Sequence, residues 1–397
     1  MIRREMYLNK LIAYKNKNLI KVITGIRRCG KSTLMEIFQG YLLENGIAEN
    51  QILSINFENI DFEELTDPKI LHEYVKNKLL ADKVNYLFFD EIQNVKDFQK
   101  VIDSLYIKKN TDIYITGSNA YMLSGELATL LSGRYVEIQM LPLSFKEYVS
   151  TFNDKTDLSR KYSDYLQYSS FPYAIELTHN KELIKDYLKG IYSTIVLKDV
   201  VARNNIADVS MLESVIRFAF DAIGNICSIK KISDTMTSAG RKISTHTVEN
   251  YLSALINSFI LYKAGRYDIK GKQHLKTGEK YYVVDIGLRY LLLGNKKADF
   301  GFMLENIIYL ELLRRGYEVY VGKVDTLEVD FIALKNGFTE YYQVALTVTD
   351  QTTLERELSP FNKLTDHNPK YLLTLDQQPV TIHNGIQQIN AIDWLLE

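Results

Sequence analysis

Residues 19–33 read LIKVITGIRRCGKST, a β-rich apolar run followed by a turn with one glycine near each end, Gly25 and Gly30. From Gly25 to Ser32, GIRRCGKS matches the pattern G-x-x-x-x-G-K-[ST] in full. The residues after it, STLMEIFQGYLL, form a helical pattern. Strand, loop and helix in this order are typical of a phosphate loop, because the glycines let backbone N–H groups turn inward and the helix N-terminus adds partial positive charge. The stretch therefore predicts an α/β domain built around a phosphate site.

The loop and the threonine after it are the candidate nucleotide-binding residues, and ATP with Mg²⁺ is the predicted ligand. Lys31 would bridge the β- and γ-phosphates, and Ser32 would ligate Mg²⁺. Arg27 and Arg28 could touch phosphate or be solvated, and Cys29 would lie close to the nucleotide. The predicted binding residues are Gly25, Ile26, Arg27, Arg28, Cys29, Gly30, Lys31, Ser32 and Thr33.

A second motif ends an apolar run in two carboxylates, NYLFFDE, with Asp90 and Glu91 last. After a phosphate loop this pair is typical of nucleotide hydrolysis: Asp90 would hold Mg²⁺ through water, and Glu91 would polarise the attacking water. The next run, DIYITG, precedes Ser118 and Asn119. Either residue would sit beside the γ-phosphate as a sensor, unless the segment is a plain polar turn.

Arg134, in LSGRYVEI, is a candidate arginine finger that would reach the phosphate of a neighbouring subunit or of its own. A surface ion pair at the start of a strand explains the same residue equally well. If Arg134 reaches the phosphate of a neighbouring subunit, the active form is a homo-oligomer; if it does not, a monomer is enough for activity.

Five apolar runs in residues 1–150 alternate with amphipathic stretches. Continuous apolarity marks strands that are buried on both faces. With helices between them, the runs predict a parallel sheet with right-handed crossovers and helices on both faces. The predicted strands are 19–26, 51–57, 85–90, 112–117 and 134–140.

The remaining chain divides into three predicted parts. Residues 151–225 are helical. Residues 226–295 have the order helix, turn, helix, β-hairpin of a winged helix, with Gly240 in the turn and Ser244 or Thr245 capping the second helix. Residues 300–397 form a small α/β unit that begins with an amphipathic helix and has a hairpin turn at Asn336-Gly337.

Several longer stretches carry a family resemblance: GIRRCGKST, LFFDEIQNV, YLQYSSFPYAI, YSTIVLKDVVARNNI and MLENIIYLELLRRGYEVYVGKVDTLEVDFIALKNG. In these motifs the chain resembles the AAA-like P-loop ATPases of bacteria and archaea, whose C-terminal half is a domain of unknown function. The resemblance covers nearly the whole chain. It implies an ATP-binding domain over 1–150, a winged helix, and a restriction-endonuclease-like fold over 300–397. It implies no particular biological role.

Nucleases of the restriction-like fold need a carboxylate on a helix, an Asp on a strand, and Glu-x-Lys on the next strand. Here Glu305 and Asp330 stand at the first two positions, but the third reads Gln343-Val-Ala345. A neutral amide replaces one metal ligand and alanine replaces the lysine. The expectation is a catalytically degenerate pocket, retained for DNA or protein contact.

The charge of the chain is unevenly distributed. The whole chain has 48 basic and 49 acidic residues, a net charge of −1, which excludes a strongly basic protein that coats DNA. Residues 225–280, in contrast, hold ten basic and four acidic side chains, a net charge of about +6. Duplex DNA is therefore a predicted partner of residues 226–280, with a protein partner as the alternative.

Other features favour a reduced, cytoplasmic protein. The chain has two cysteines, Cys29 and Cys227, far apart in sequence, and no signal-peptide pattern or apolar run long enough to span a membrane. The leading hypothesis is Mg²⁺-dependent ATP hydrolysis that moves a DNA- or protein-binding winged helix. The alternatives are an ATP-switched DNA-binding module with slow turnover and, less favoured, an ATP-regulated nuclease.

Overall fold

The computed structural model describes residues 2–120, 131, 133–177, 180–294 and 299–397. The chain divides into two compact units. The first comprises Met1–Pro142 with the short segment Asn257–Phe259, and the second comprises Leu143–Ile256 and Ile260–Glu397.

The first unit contains a five-stranded, all-parallel sheet in the order β2-β3-β4-β1-β5. Every residue of the inner strands β1 and β3 is buried, which explains why both are largely apolar. The one lysine in β1, Lys21, is buried too and pairs with Asp112 of β4. The five strands are β1 Ile20–Thr24, β2 Ile52–Asn56, β3 Asn85–Asp90, β4 Thr111–Gly117 and β5 Tyr135–Gln139. The predicted parallel α/β fold is confirmed.

Helices connect these strands, and their apolar sides bury the sheet. In α4, for example, Phe98, Val101, Ile102 and Leu105 recur at helical spacing and all belong to the core of this unit. The helices are α1 Glu5–Tyr14, α2 Lys31–Glu44, α3 Pro68–Lys78 and α4 Phe98–Tyr106.

The second unit begins with helices, as the sequence predicts. They are α5 Phe145–Ser150, α6 Leu158–Tyr168, α7 Lys181–Thr194 and α8 Val209–Asp221, with a π-helical segment Ile195–Ala202 after α7. Next come α9 Ile229–Ser238 and α10 Thr245–Asn257. Ser244 caps α10, because its hydroxyl accepts the N–H of Thr247 at 3.0 Å. Later in the chain lie α11 Ile286–Leu293, α12 Phe300–Arg314, α13 Gln351–Leu358 and α14 Ala391–Leu396.

A nine-stranded sheet runs through the second unit in the order β13-β14-β12-β11-β10-β9-β7-β8-β6. Its strands are β6 Ile226–Cys227, β7 Leu261–Asp268, β8 Gln273–Val283, β9 Glu318–Val324, β10 Leu327–Lys335, β11 Phe338–Val344, β12 Lys370–Thr374, β13 Thr381–His383 and β14 Ile386–Asn390. The β7–β8 hairpin follows α9 and α10, so the helix, turn, helix, hairpin order is present.

The hairpin is continuous with the C-terminal strands, because β7 pairs in parallel with β9 through Arg266 and Val321. One unit therefore contains all three parts that the sequence separates at residues 225 and 295–300. The finer division, including winged-helix and restriction-endonuclease-like domains, stays a prediction. Among the helices that the structure describes, none is long and apolar enough to cross a membrane.

Candidate functional site

The loop after β1 requires glycine at two positions. A Cβ atom on Gly25 would stand 2.2 Å from the carbonyl oxygen of Met140, so any larger residue would displace the backbone after β5. Gly30 has φ 100°, a left-handed conformation, and occupies the N-cap position of α2. The motif thus forms the sharp turn between a buried strand and a helix that phosphate binding requires.

Lys31 opens α2 and lies almost fully buried within the loop. Its amine donates to the carbonyl oxygens of Gly25 at 3.0 Å and Ile26 at 3.3 Å. The same amine lies 3.6 Å from a carboxylate oxygen of Glu91. The structure therefore brings together the lysine of the first motif and a carboxylate of the second, which are 60 positions apart in the chain.

Asp90, the last residue of β3, is buried and hydrogen-bonded to its neighbours. It accepts a hydrogen bond from the Thr116 hydroxyl at the end of β4, and Ser32 also bonds to it. Burial raises the pKa of Asp90, and the hydrogen bonds from Thr116 and Ser32 act in the opposite direction. A serine hydroxyl beside a carboxylate is the oxygen donor set that Mg²⁺ prefers, so Ser32 and Asp90 fit the predicted ion.

Glu91 follows directly, with a left-handed backbone at φ 52°. Its N–H donates to the Thr116 hydroxyl at 2.9 Å, which fixes the turn at the end of β3. Burial acts to raise the pKa of Glu91, but the nearby charges of Lys31 and Arg27, together with the hydrogen bond from Gln93, outweigh it and hold the pKa below its usual value. Glu91 is therefore ionised at neutral pH, the form that accepts a proton.

The two sensor candidates both lie at this edge of the sheet. Ser118 and Asn119 follow β4 directly and are buried, and Ser118 interacts with Glu91. Because the carboxyl ends of parallel strands meet at one edge, β1, β3 and β4 deliver the loop, the acidic pair and these polar side chains to one place.

The other loop residues differ in their surroundings. Arg27 pairs with Glu58 at 2.8 Å, whereas Arg28 is exposed. Cys29 is fully buried, and burial raises the pKa of its thiol. Thr33, in the first turn of α2, is partly exposed.

Arg134 lies at the opposite edge of the sheet. It directly precedes β5, and its carbonyl accepts the N–H of Ile20, the first residue of β1. The five-residue strand β1 separates it from the phosphate loop by about 16 Å. Its guanidinium pairs with Asp103 and stacks over the ring of Tyr106. These contacts match the surface ion pair at a strand start that the sequence offers as the alternative, and the reading of Arg134 as an arginine finger stays a prediction.

A second cluster of charged residues occupies the second unit and is centred on Lys280 of β8. The Lys280 amine lies 2.9 Å from Glu305 on α12, 2.7 Å from Glu328 and 3.8 Å from Asp330, both on β10. The side chain of Lys280 is only 3% exposed. The hydroxyl of Tyr282, two residues along the same face of β8, donates to Glu305 at 2.7 Å.

Gln343 of β11 belongs to the same pocket as Glu305 and Asp330. Its amide oxygen accepts the N–H of Asp330 at 3.3 Å, and its amide nitrogen donates to Glu357 at 2.9 Å. Ala345 stands at the lysine position of the predicted strand, and β8 brings a different lysine, Lys280, to the same pocket. The expectation of a catalytically degenerate pocket stays a prediction. Within the residues that the structure describes, no group of three His, Cys, Asp or Glu side chains is placed to hold a metal ion.

Several of the ten basic side chains of residues 225–280 pair with carboxylates, so fewer of them are available to an anion than the sequence count suggests. Lys280, one of the ten basic side chains that the sequence counts toward a DNA-binding surface, is buried among carboxylates and does not belong to that surface. Lys263 pairs with Glu279 at 3.0 Å and Lys270 with Asp325 at 2.7 Å. Four further lysines are exposed and have no ion pair among the described residues: Lys230, Lys231, Lys242 and Lys272.

Sequence reasoning missed Arg4 entirely. This residue is 4% exposed, and its guanidinium donates to the carbonyl of Cys29 in the phosphate loop at 2.9 Å. No motif includes it, because it precedes the loop by about one helix and a strand. The sequence does give a hint for Lys280. In the strand pattern KYYVVD, residues two positions apart lie on the same face, so Lys280 shares a face of the strand with Tyr282 and does not lie at the tip of the hairpin.

Comparison with known proteins adds the following findings. Residues 17–149 match the family model of an AAA domain, and residues 159–299 match a domain of unknown function, DUF8612. An uncharacterized protein of Haemophilus influenzae is 43% identical over 100% of this chain and 99% of its own length. An uncharacterized protein of Methanocaldococcus jannaschii is 30% identical over 87% of this chain and 78% of its own length.

Among solved structures, a Walker-type ATPase of Pyrococcus abyssi is similar with a TM-score of 0.51. The match covers 74% of this chain and 96% of that chain at 15% sequence identity. At this identity the likeness concerns the fold.

Proposed function

Because the chain belongs to one family with these uncharacterized proteins and contains an AAA-like P-loop domain, we propose that it binds ATP with Mg²⁺ and hydrolyses it. The main support for this proposal is that Lys31, Asp90 and Glu91 lie close together at the carboxyl ends of the parallel strands. A lysine alone would support nucleotide binding. The lysine together with an ionised, buried carboxylate supports hydrolysis.

In this proposal each residue has a separate task. The loop from Gly25 to Gly30 holds the phosphates through its backbone N–H groups, and Lys31 neutralises the β- and γ-phosphates. Ser32 and Asp90 hold Mg²⁺, which would shield the phosphate charge. Glu91 takes the proton of the attacking water, and Ser118 or Asn119 contacts the γ-phosphate.

The second unit is proposed to carry the binding surface that nucleotide turnover controls. Three of the four exposed lysines that lack an ion pair belong to the helix–turn–helix: Lys230 and Lys231 at the start of α9, and Lys242 just before α10. Exposed lysines without an ion pair on such a segment favour the phosphate backbone of duplex DNA as the partner. A protein partner is the alternative, and a slow ATPase that only times DNA release is a variant of the same scheme.

ATP turnover with and without duplex DNA, repeated over a range of salt concentrations, tests this part. We expect DNA to stimulate turnover and its affinity to fall steeply with salt. A Lys230→Gln/Lys231→Gln variant should reduce both effects. The matched control changes the exposed Lys185 and Lys198 to Gln, elsewhere in the same unit. Salt-insensitive or absent DNA binding would leave a protein partner instead.

Two further proposals concern assembly and cleavage. If Arg134 acts in trans, specific ATPase activity rises with protein concentration, and Arg134→Ala removes that rise. A specific activity that does not change with protein concentration contradicts the trans finger.

The nuclease alternative is weakened by the position of Lys280, whose amine lies within 4 Å of all three carboxylates of the pocket. It is refuted if Mg²⁺ or Mn²⁺ with ATP cleaves no form of DNA.

A further inference from the structure

Arg4 is held rigidly at the head of α1. It has a left-handed backbone at φ 47° and ψ 50°, and its carbonyl accepts the N–H groups of Tyr7 and Leu8, both at 3.0 Å. Its guanidinium stacks over the ring of Tyr7, 5.0 Å from the centroid. Tyr7, Leu8 and Leu11 are all buried, so α1 is anchored and the guanidinium has a fixed position.

The guanidinium of Arg4 contacts two backbone segments of the first unit at once. One donor reaches the carbonyl of Cys29, inside the phosphate loop, at 2.9 Å. The other reaches the carbonyls of Leu141 at 2.6 Å and Pro142 at 3.4 Å. Pro142 is the last residue of the first unit on this side, since the second unit starts at Leu143. Arg4 thus joins the phosphate loop to the segment by which the chain leaves the ATPase unit.

Two other contacts join the same segments. The close approach of Gly25 to the Met140 carbonyl leaves no room for a side chain between the loop and this segment. The Leu141 N–H also donates to the hydroxyl of Tyr7 at 3.1 Å. A displacement of the loop backbone would therefore press directly on residues 140–142.

The planar peptide between Cys29 and Gly30 explains what Arg4 can do for nucleotide binding. In a trans peptide the C=O and the following N–H point in opposite directions. With the Cys29 carbonyl held by Arg4, the Gly30 N–H faces away from Arg4 and is available to a phosphate oxygen. The Arg4 charge is also close enough to the loop to act on the Cys29 thiol, together with Lys31.

We propose that Arg4 is a positioning residue that fixes the Cys29–Gly30 peptide for phosphate binding and transmits nucleotide occupancy to residues 140–142. The proposal rests on the proposed function, since it requires a nucleotide in the loop. A lysine cannot replace Arg4 fully, because a single amine does not reproduce the forked geometry by which the guanidinium reaches both segments.

The affinity for a fluorescent ADP analogue tests the first half of the proposal. ADP contains the β-phosphate and is not turned over. We expect Arg4→Gln to weaken binding about tenfold, the effect of losing one charge-assisted hydrogen bond. Arg3→Gln is the matched control, since Arg3 is exposed and its loss should change affinity less than about twofold. Tyr7→Phe removes the acceptor of the Leu141 N–H but keeps the ring against which the Arg4 guanidinium packs, so it should weaken affinity less than Arg4→Gln does.

Amide hydrogen exchange of residues 139–143 tests the second half. We expect ADP to slow exchange of this peptide in the wild type and to have no such effect in Arg4→Gln at saturating ADP. If Arg4→Gln does not fold, Arg4→Lys is measured in the same way and should show the same loss. Unchanged ADP affinity, or unchanged ADP-dependent protection, in a folded Arg4 variant would overturn the proposal. If the wild type itself binds no ADP, the proposed function fails instead.

Discussion

Lys31 and Lys280 are both almost fully buried, and each has its amine next to acidic side chains, yet their partners differ. The Lys31 amine donates to two loop carbonyls and stands 3.6 Å from a single carboxylate, Glu91. The Lys280 amine lies within 4 Å of three carboxylates, those of Glu305, Glu328 and Asp330.

The difference shows that the partners of a buried lysine decide whether it can bind an anion. Neutral carbonyls and one carboxylate leave Lys31 in a site where a phosphate can compete for the amine. The Lys280 amine is surrounded by acidic side chains, so the second cluster holds its lysine as an internal cation and leaves no positive charge for a phosphate. The proposed function assigns a ligand site to the cluster in the first unit, whereas the cluster in the second unit ties β8 to α12 and β10.

Glu91→Gln should have the largest effect on the first cluster. The amide cannot accept a proton from water, so kcat for ATP should fall about 10²- to 10⁴-fold while nucleotide affinity is retained. Single-turnover hydrolysis and a binding titration on the same preparation measure both quantities. Hydrolysis at the wild-type rate would show that Glu91 is not the general base.

Lys280→Met tests the second cluster, where we expect a loss of stability. Removing the amine leaves several carboxylates buried without a counter-charge, which should cost about 3–5 kcal/mol in the free energy of unfolding. The single tryptophan, Trp394, is buried in the second unit and reports its urea unfolding by fluorescence. Lys272→Met, at an exposed lysine of the same hairpin, is the control and should change the midpoint little. Equal midpoints for the two variants would contradict an internal-cation role.

Asp330→Asn should have a smaller, pH-dependent effect. Burial raises the pKa of Asp330 well above 3.8, and the charge of Glu305 acts in the same direction, while Lys280 opposes both. A carboxyl group with a raised folded-state pKa favours the native state most at low pH, and its contribution is lost as the pH rises from about 4 toward the folded-state pKa. Asp330→Asn should therefore flatten the decline in stability over this range, measured by Trp394 fluorescence. Asp325→Asn, at an exposed residue, should leave the decline unchanged, and an equal slope in both variants would contradict the assignment.

The fold of the first unit could be predicted from the sequence because its three inner strands, β1, β3 and β4, are buried on both faces and are largely apolar. The run NYLFFD coincides with β3, Asn85–Asp90. The phosphate loop and the acidic pair are local motifs, each at the end of a strand. In a parallel sheet these strand ends lie at one edge, so the sequence already predicts that Lys31 and Glu91 are close to each other. The motif around Arg134 left two readings open, and the contacts of its guanidinium with Asp103 and Tyr106 depend on side chains that the motif does not include.

The residues that could not be predicted act across long sequence distances. Lys280 meets Glu305 and Asp330 because β8 joins the C-terminal sheet through β7 and β9, a pairing that no local pattern indicates. Arg4 reaches Cys29 and Leu141, 25 and 137 positions away, through backbone carbonyls that every residue has. Contacts to backbone groups leave no trace in residue types, so only the structure identifies them.

The affinity of Lys31→Ala and Lys280→Met for a fluorescent ATP analogue, measured side by side, tests the central claim most directly. The account predicts that Lys31→Ala abolishes binding, because the phosphates lose their principal counter-charge. Lys280→Met, at a temperature where it is folded, should bind like the wild type. Retained binding in Lys31→Ala, or lost binding in folded Lys280→Met, would contradict the assignment of the nucleotide site to the first unit.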